Sequence, residues 1–226
     1  MTTLTVFANW SLPLFLNRRN KYPIGALCGI FAAAIYLVTN HNPLSEPMLL
    51  PMSWLDRTIP FLPHSVWIYI SEYIFFIAVY VMSEDLDNTN KYLYSFVALQ
   101  IVSVGIFIVW PTTFPRGMYP LSPDLDWPTL FAFTQLRTAD TPANCAPSLH
   151  VSSVVLSSFI FLDEKGRRFP FFFVWATLIS LSTLTTKQHY VVDVMTGFLL
   201  AVCMYWFFHR IMTYRRMDPR RTPTKT

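Results

Sequence analysis

Six apolar stretches, at residues 23–38, 66–82, 92–110, 148–162, 171–186 and 190–208, set the terms on which this chain can fold. A helix needs about 20 residues to cross the hydrocarbon of a bilayer, and several of these runs sit near the short limit of about 17. Composition agrees. Of the 226 residues, 53% are hydrophobic and 13% charged, about half the charged share of a soluble domain. The expected fold is an all-α, polytopic membrane bundle of six transmembrane helices. One such bundle uses up residues 1–226 as a single domain.

The connections set its orientation. Residues 40–63 carry Pro43, Pro47, Pro51, Pro60 and Pro63, so they cannot be one long helix. Residues 7–16 are apolar but too short to span, and Trp10 and Pro13 suit an interfacial segment within residues 1–22. With the N-terminus in the cytoplasm, 13 of the 17 Lys and Arg residues fall on the cytoplasmic side. The other four are Arg57, Arg116, Arg137 and Lys187. That bias puts both termini in the cytoplasm. Residues 209–226 then form a basic tail beside anionic lipid, with no nucleic-acid partner required. Arg18, Arg19 and Lys21 follow the first apolar patch instead of preceding it, so no cleavable signal peptide is expected. Cys28, Cys145 and Cys203 lack the paired spacing of a zinc site or disulfide framework.

Three polar clusters converge on the opposite face under this topology. Residues 110–116, ending in Arg116, leave the third span. Residues 145–153, with Ser148 and His150, enter the fourth. Lys187, His189 and Asp193 occupy the turn between the last two. Charged groups at membrane depth are costly and mark functional sites. If the run from His189 is helical, His189 and Asp193 share a face at i and i+4. A carboxylate there fixes one imidazole nitrogen and leaves the other free. Glu72, early in the second run, stays outside the catalytic set. His41, His64 and His209 read as ordinary residues.

Together these clusters resemble the type 2 phosphatidic acid phosphatase superfamily of membrane phosphatases and phosphotransferases. Pro147-Ser148-Leu149-His150 is similar to its second motif, P-S-G-H, with leucine for glycine. Ser182 and Thr183, followed by His189 and Asp193, keep the spacing of its third motif, with Thr183 where arginine is expected. The first motif fits least. If Arg116 is its arginine, Val109 replaces the lysine and Gly117 the proline. P-S-L-H with Q-H-Y-V-V-D, together with Asp56-Arg57, Pro60, Pro63 and Tyr69, resembles the branch holding inositol phosphorylceramide synthases.

The resemblance implies that His189 is the nucleophile forming a phosphohistidine, Asp193 its orienting carboxylate, and His150 the general acid and then base. It implies that Ser148, helix N-terminal amides and Arg116 hold phosphate oxygens. Lys187 is expected to make up for the cations missing at Val109 and Thr183. The expected activity is metal-independent, cofactor-free hydrolysis of a lipid phosphomonoester or pyrophosphate at the non-cytoplasmic face. Transfer of a phospho-headgroup to a hydroxyl is the alternative, and a non-enzymatic transporter or scaffold the remote one. A serine hydrolase is disfavoured because no G-x-S-x-G elbow is present. A metal site at His150, His189 and Asp193 lacks H-x-x-x-H or C-x-x-C spacing. The predicted outer loops hold no N-x-S/T sequon, which points to a bacterial inner membrane with a periplasmic site rather than a lumen-facing endomembrane site.

Overall fold

The computed structural model describes residues 11–164 and 167–216. In chain order the elements are β1 (Ser11–Leu14), α1 (Lys21–His41), β2 (Met48–Leu49), α2 (Trp54–Thr58), α3 (Val66–Ile70), α4 (Glu72–Met82) and α5 (Leu86–Val109). Then follow β3 (Thr112–Thr113), α6 (Trp127–Ala139), α7 (Leu149–Phe159), α8 (Arg168–Thr185), α9 (Val191–Trp206) and β4 (Thr213–Arg216). The all-α expectation holds, and the strands are short ties between connections.

All six apolar runs are helical. Among the described residues five helical segments are long and apolar enough to cross a membrane: Lys21–His41, Pro63–Met82, Leu86–Val109, Arg168–Thr185 and Val191–Ile211. The remaining one, Leu149–Leu162, is shorter. Its position explains how it stays buried at that length. From Leu149 to Phe161 every residue except His150 is buried, because α7 is packed by α4, α5, α8 and α9. A helix wrapped in protein need not match the thickness of the lipid.

Small residues permit that wrapping. Ser152, Ser157 and Ser158 return their hydroxyls to carbonyls of their own helix. Ser153 accepts from the Gln100 amide at 3.1 Å. The outer helices instead turn Leu27, Ile30, Ile74, Ile77, Val174 and Leu199 outward, as lipid-facing surfaces do.

The proline-rich connection contains α2, whose capping box pairs Ser53 with Asp56, and no long helix. Of the expected interfacial segment, residues 1–10 lie outside the described residues. Residues 11–14 are a strand that pairs in parallel with β4. Residues 217–226 of the basic tail also lie outside them. Two features of the fold go beyond the sequence reading. The second span is interrupted at Ser71, whose hydroxyl accepts from the Trp175 indole N–H at 2.9 Å. The connection from 111 to 147 contains α6, started by the Asp126 cap on the Thr129 amide and by Pro128 in its first turn.

Candidate active site

The site forms where the start of α7 crosses the start of α9. The Ser148 amide donates to the Asp193 carbonyl at 3.0 Å. A Cβ on Gly197 would lie 2.6 Å from the Ser148 carbonyl oxygen, so only glycine allows the two helices this close. The crossing brings the His150 and His189 rings to 5.7 Å between centroids.

His189 lies just before α9 rather than within it, because the helix begins at Val191. Its contact with Asp193 therefore arises from helix capping. The Asp193 carboxylate accepts from the Tyr190 amide at 2.9 Å, and the same oxygen lies 3.3 Å from His189 Nδ1. The Cys145 carbonyl oxygen lies 3.0 Å from that nitrogen. Two oxygens thus hold Nδ1 as a donor, and Nε2 is the nitrogen left for chemistry. Asp193 is fully buried, and its Oδ1 has no hydrogen-bond partner among the described residues.

His150 is held from the other side. Its Nε2 lies 2.8 Å from the Tyr69 hydroxyl and 3.4 Å from Glu72 Oε1. The Tyr36 ring meets it edge-on at 6.1 Å. Ser148 is buried and its hydroxyl accepts from the Val151 amide at 3.4 Å, which caps α7. The first-turn amides of Leu149 and His150 have no acceptor within the helix, as at any helix start.

Arg116 sits in a buried polar network. Its guanidinium donates to the Asp140 carbonyl and, at 2.8 Å, to the Asp140 carboxylate. That carboxylate also accepts from the Tyr36 hydroxyl and, at 3.3 Å, from the Asn40 amide. Burial alone would raise the Asp140 carboxyl, yet Arg116, His150 and the Tyr36 hydroxyl together hold it below its ordinary 3.8. Arg116 thus connects to His150 through Asp140 and Tyr36.

Lys187 is turned the other way. With φ at 54°, it sends its ammonium to the carbonyls of Asp56 and Ile59, each at 2.7 Å, and over the Tyr119 ring at 5.0 Å. Burial lowers its pKa. Asp56 closes the link by accepting from the Val191 amide at 2.7 Å. Two of the three ammonium protons therefore fasten α2 to the turn that carries His189.

His150, His189 and Asp193 are brought together, with Ser148 at their crossing. Arg116 adjoins them through its network, and Lys187 braces the turn from behind. Sequence reasoning left out Glu72 and missed Asp140, Tyr36 and Asn40. A lone acid in an apolar run was the signal for Glu72, whereas a loop aspartate such as Asp140 carries none. Among the described residues, Cys145, His189 and Asp193 offer ligand atoms within 4.8 Å of one another. An ion there would compete with Asp193 for His189. Burial also keeps the Cys145 thiol well above its ordinary pKa, so it would have to lose a proton to bind.

An uncharacterized protein of Methanocaldococcus jannaschii is 41% identical over 61 residues, which cover 27% of this chain and 25% of the relative. The matched stretch thus spans about a quarter of that relative's length. A family model described as PAP2 superfamily matches residues 46–207. That range contains both histidines, Asp193, Arg116, Ser148 and Lys187, and the chain belongs to the PAP2 superfamily, the type 2 phosphatidic acid phosphatases and their phosphotransferase relatives.

Proposed function

We propose that this protein is a lipid phosphatase that cleaves a phosphomonoester or pyrophosphate through a phosphohistidine on His189, at the non-cytoplasmic face of its membrane. The observation that carries the reading is the double hold on His189 Nδ1 by Asp193 and the Cys145 carbonyl, with a second histidine 5.7 Å away. In the first step Nε2 attacks phosphorus and the bond to the lipid oxygen breaks. His150 gives its proton to that oxygen. In the second step His150 takes a proton from water, the water oxygen attacks phosphorus, and the N–P bond breaks to release phosphate. Asp193 stabilises the positive charge on His189 while the phosphoenzyme lasts.

Ser148, the first-turn amides of α7 and Arg116 are the proposed contacts for the phosphate oxygens. Lys187 contributes mainly by fixing the turn, with its remaining proton as a secondary phosphate contact. Glu72 positions His150. Metal plays no part in this mechanism. Hydrolysis is preferred to transfer because His189 is only 5% exposed, which suits water better than a polyol acceptor. Transfer to an inositol or lipid hydroxyl, as the resemblance to inositol phosphorylceramide synthases would have it, uses the same phosphoenzyme. The charge distribution and the absence of outer sequons favour the periplasmic face of a bacterial inner membrane.

The test is a panel of phosphorylated lipids, including phosphatidic acid and a polyprenyl pyrophosphate, given to purified protein with a chelator present. The expected result is phosphate release that vanadate blocks and that falls at least about 1,000-fold in a folded His189→Ala variant. Full activity in that variant would sink the mechanism. Label appearing on an added alcohol instead of in free phosphate would replace hydrolysis with transfer.

A further inference from the structure

Helix α6 has two faces of opposite character. Thr129, Phe133 and Leu136 are buried, and the two apolar residues pack with Val66 and Tyr69 of α3. On the other side Trp127 and Phe131, one turn apart, are 72% and 52% exposed. Their rings stack at 5.4 Å with 17° between planes. The faces this pair leaves open would gain from an apolar cover.

Its surroundings say what the cover is. The Trp67 indole N–H donates to the Thr129 hydroxyl at 3.1 Å. Trp67 and Ile68 are themselves exposed, on the span Pro63–Met82. Helix α6 therefore adjoins the lipid-facing surface of that span through Trp67. Two of the nearby charges, Asp126 and Arg137, are already engaged. Asp126 caps α6 and pairs with His64 at 2.8 Å. Arg137 donates to the Tyr119 carbonyl and lies 4.8 Å from the Phe133 ring centre. Attraction at this face is apolar rather than ionic, and tryptophan at headgroup depth is the usual membrane anchor.

We propose that α6 is an interfacial helix whose Trp127–Phe131 pair docks into the lipid surface at the end of the bundle that carries the two histidines. The docking does not depend on the reaction assigned above. Its consequence does rest on that reading. Helix α6 is about 20 Å long and ends at Asp140, which holds Arg116 and bonds Tyr36 beside His150. Docking thus fixes the phosphate-binding edge of the site at the height of the lipid headgroups.

Docking is tested without turnover. Wild type and Trp127→Phe are reconstituted in phosphatidylcholine vesicles whose chains are brominated either near the headgroup or near the terminal methyl. The tryptophan emission missing from Trp127→Phe is expected to be the component quenched by headgroup-proximal bromine and spared by aqueous iodide. Quenching of that component by iodide alone overturns the proposal. So does a monomer–dimer shift caused by the substitution, which would assign the face to a second copy.

The consequence is tested with Trp127→Ser/Phe131→Ser. Turnover of a phosphorylated lipid in vesicles is expected to fall about tenfold, equivalent to about 1.4 kcal/mol. Turnover of a dispersed short-chain analogue should change by less than about twofold. Equal falls on both substrates overturn the link to substrate approach. Inactivity of the wild type on both counts against the proposed reaction and leaves the quenching result to decide docking.

Discussion

His189 keeps one nitrogen between two oxygens while the other has no hydrogen-bond partner among the described residues, and His150 is held by a phenol and a carboxylate. These unequal surroundings suit unequal roles, a nucleophile and a proton carrier. Among the described residues Glu72 pairs with His150 at 3.4 Å, so in the proposed mechanism it is a positioning residue. Glu72→Gln is expected to lower phosphate release about tenfold to hundredfold, the scale of a general-acid contribution. Short-term labelling of the phosphoenzyme should survive on a substrate whose leaving group needs no proton. Equal loss on both kinds of substrate would make Glu72 merely structural.

Asp140 supplies a pH dependence. Its folded carboxyl is depressed below the ordinary 3.8, so it adds stability above that value and loses it as pH falls through the folded one. Thermal unfolding in detergent should therefore show a loss below about pH 4 that Asp140→Asn removes. An unchanged acid limb in that variant would refute the assignment. His189 and Asp193 stood out in the sequence as polar residues between apolar runs. Asp140 did not, because an acid in a polar loop is unremarkable until the partner that buries it is known.

Between elements, the decisive contact is the crossing of α7 over α9. Gly197 faces the Ser148 carbonyl, and an added methyl group would meet it at 2.6 Å and the Val151 Cβ at 3.3 Å. Gly197→Ala should cost about 1–3 kcal/mol, as overpacking usually does, and should reduce turnover further by parting the two histidine rings. A melting temperature and activity equal to wild type would show that the helices have room to spare. Sequence periodicity located these helices but not their crossing. The third-motif spacing placed His189 and Asp193 four apart, yet their contact is made by a helix cap that starts two residues after the histidine. The short run at 148–162 looked like one more span. Its burial by four neighbouring helices makes it the centre of the bundle.

Across the whole molecule, charge separates the two ends. Among the described residues Arg18, Arg19, Lys91, Arg168, Arg210 and Arg216 belong to the end away from the histidines, where Asp163 and Asp87 pair with Arg210 and Arg216. In sealed cells of a strain without Cys28 and Cys203, an impermeant maleimide should label Asp124→Cys but not Arg19→Cys. The reverse pattern would invert the topology and place the site in the cytoplasm. The order of the apolar helices, the charge bias and the pair of candidate histidines were set by the sequence alone, because hydropathy, loop charge and motif spacing act over short stretches of chain. The partners of those histidines were decided by tertiary structure. Glu72, Asp140, Tyr36 and the α2 carbonyls that receive Lys187 come from distant segments, and only the packing of helices around α7 brings them within hydrogen-bonding range.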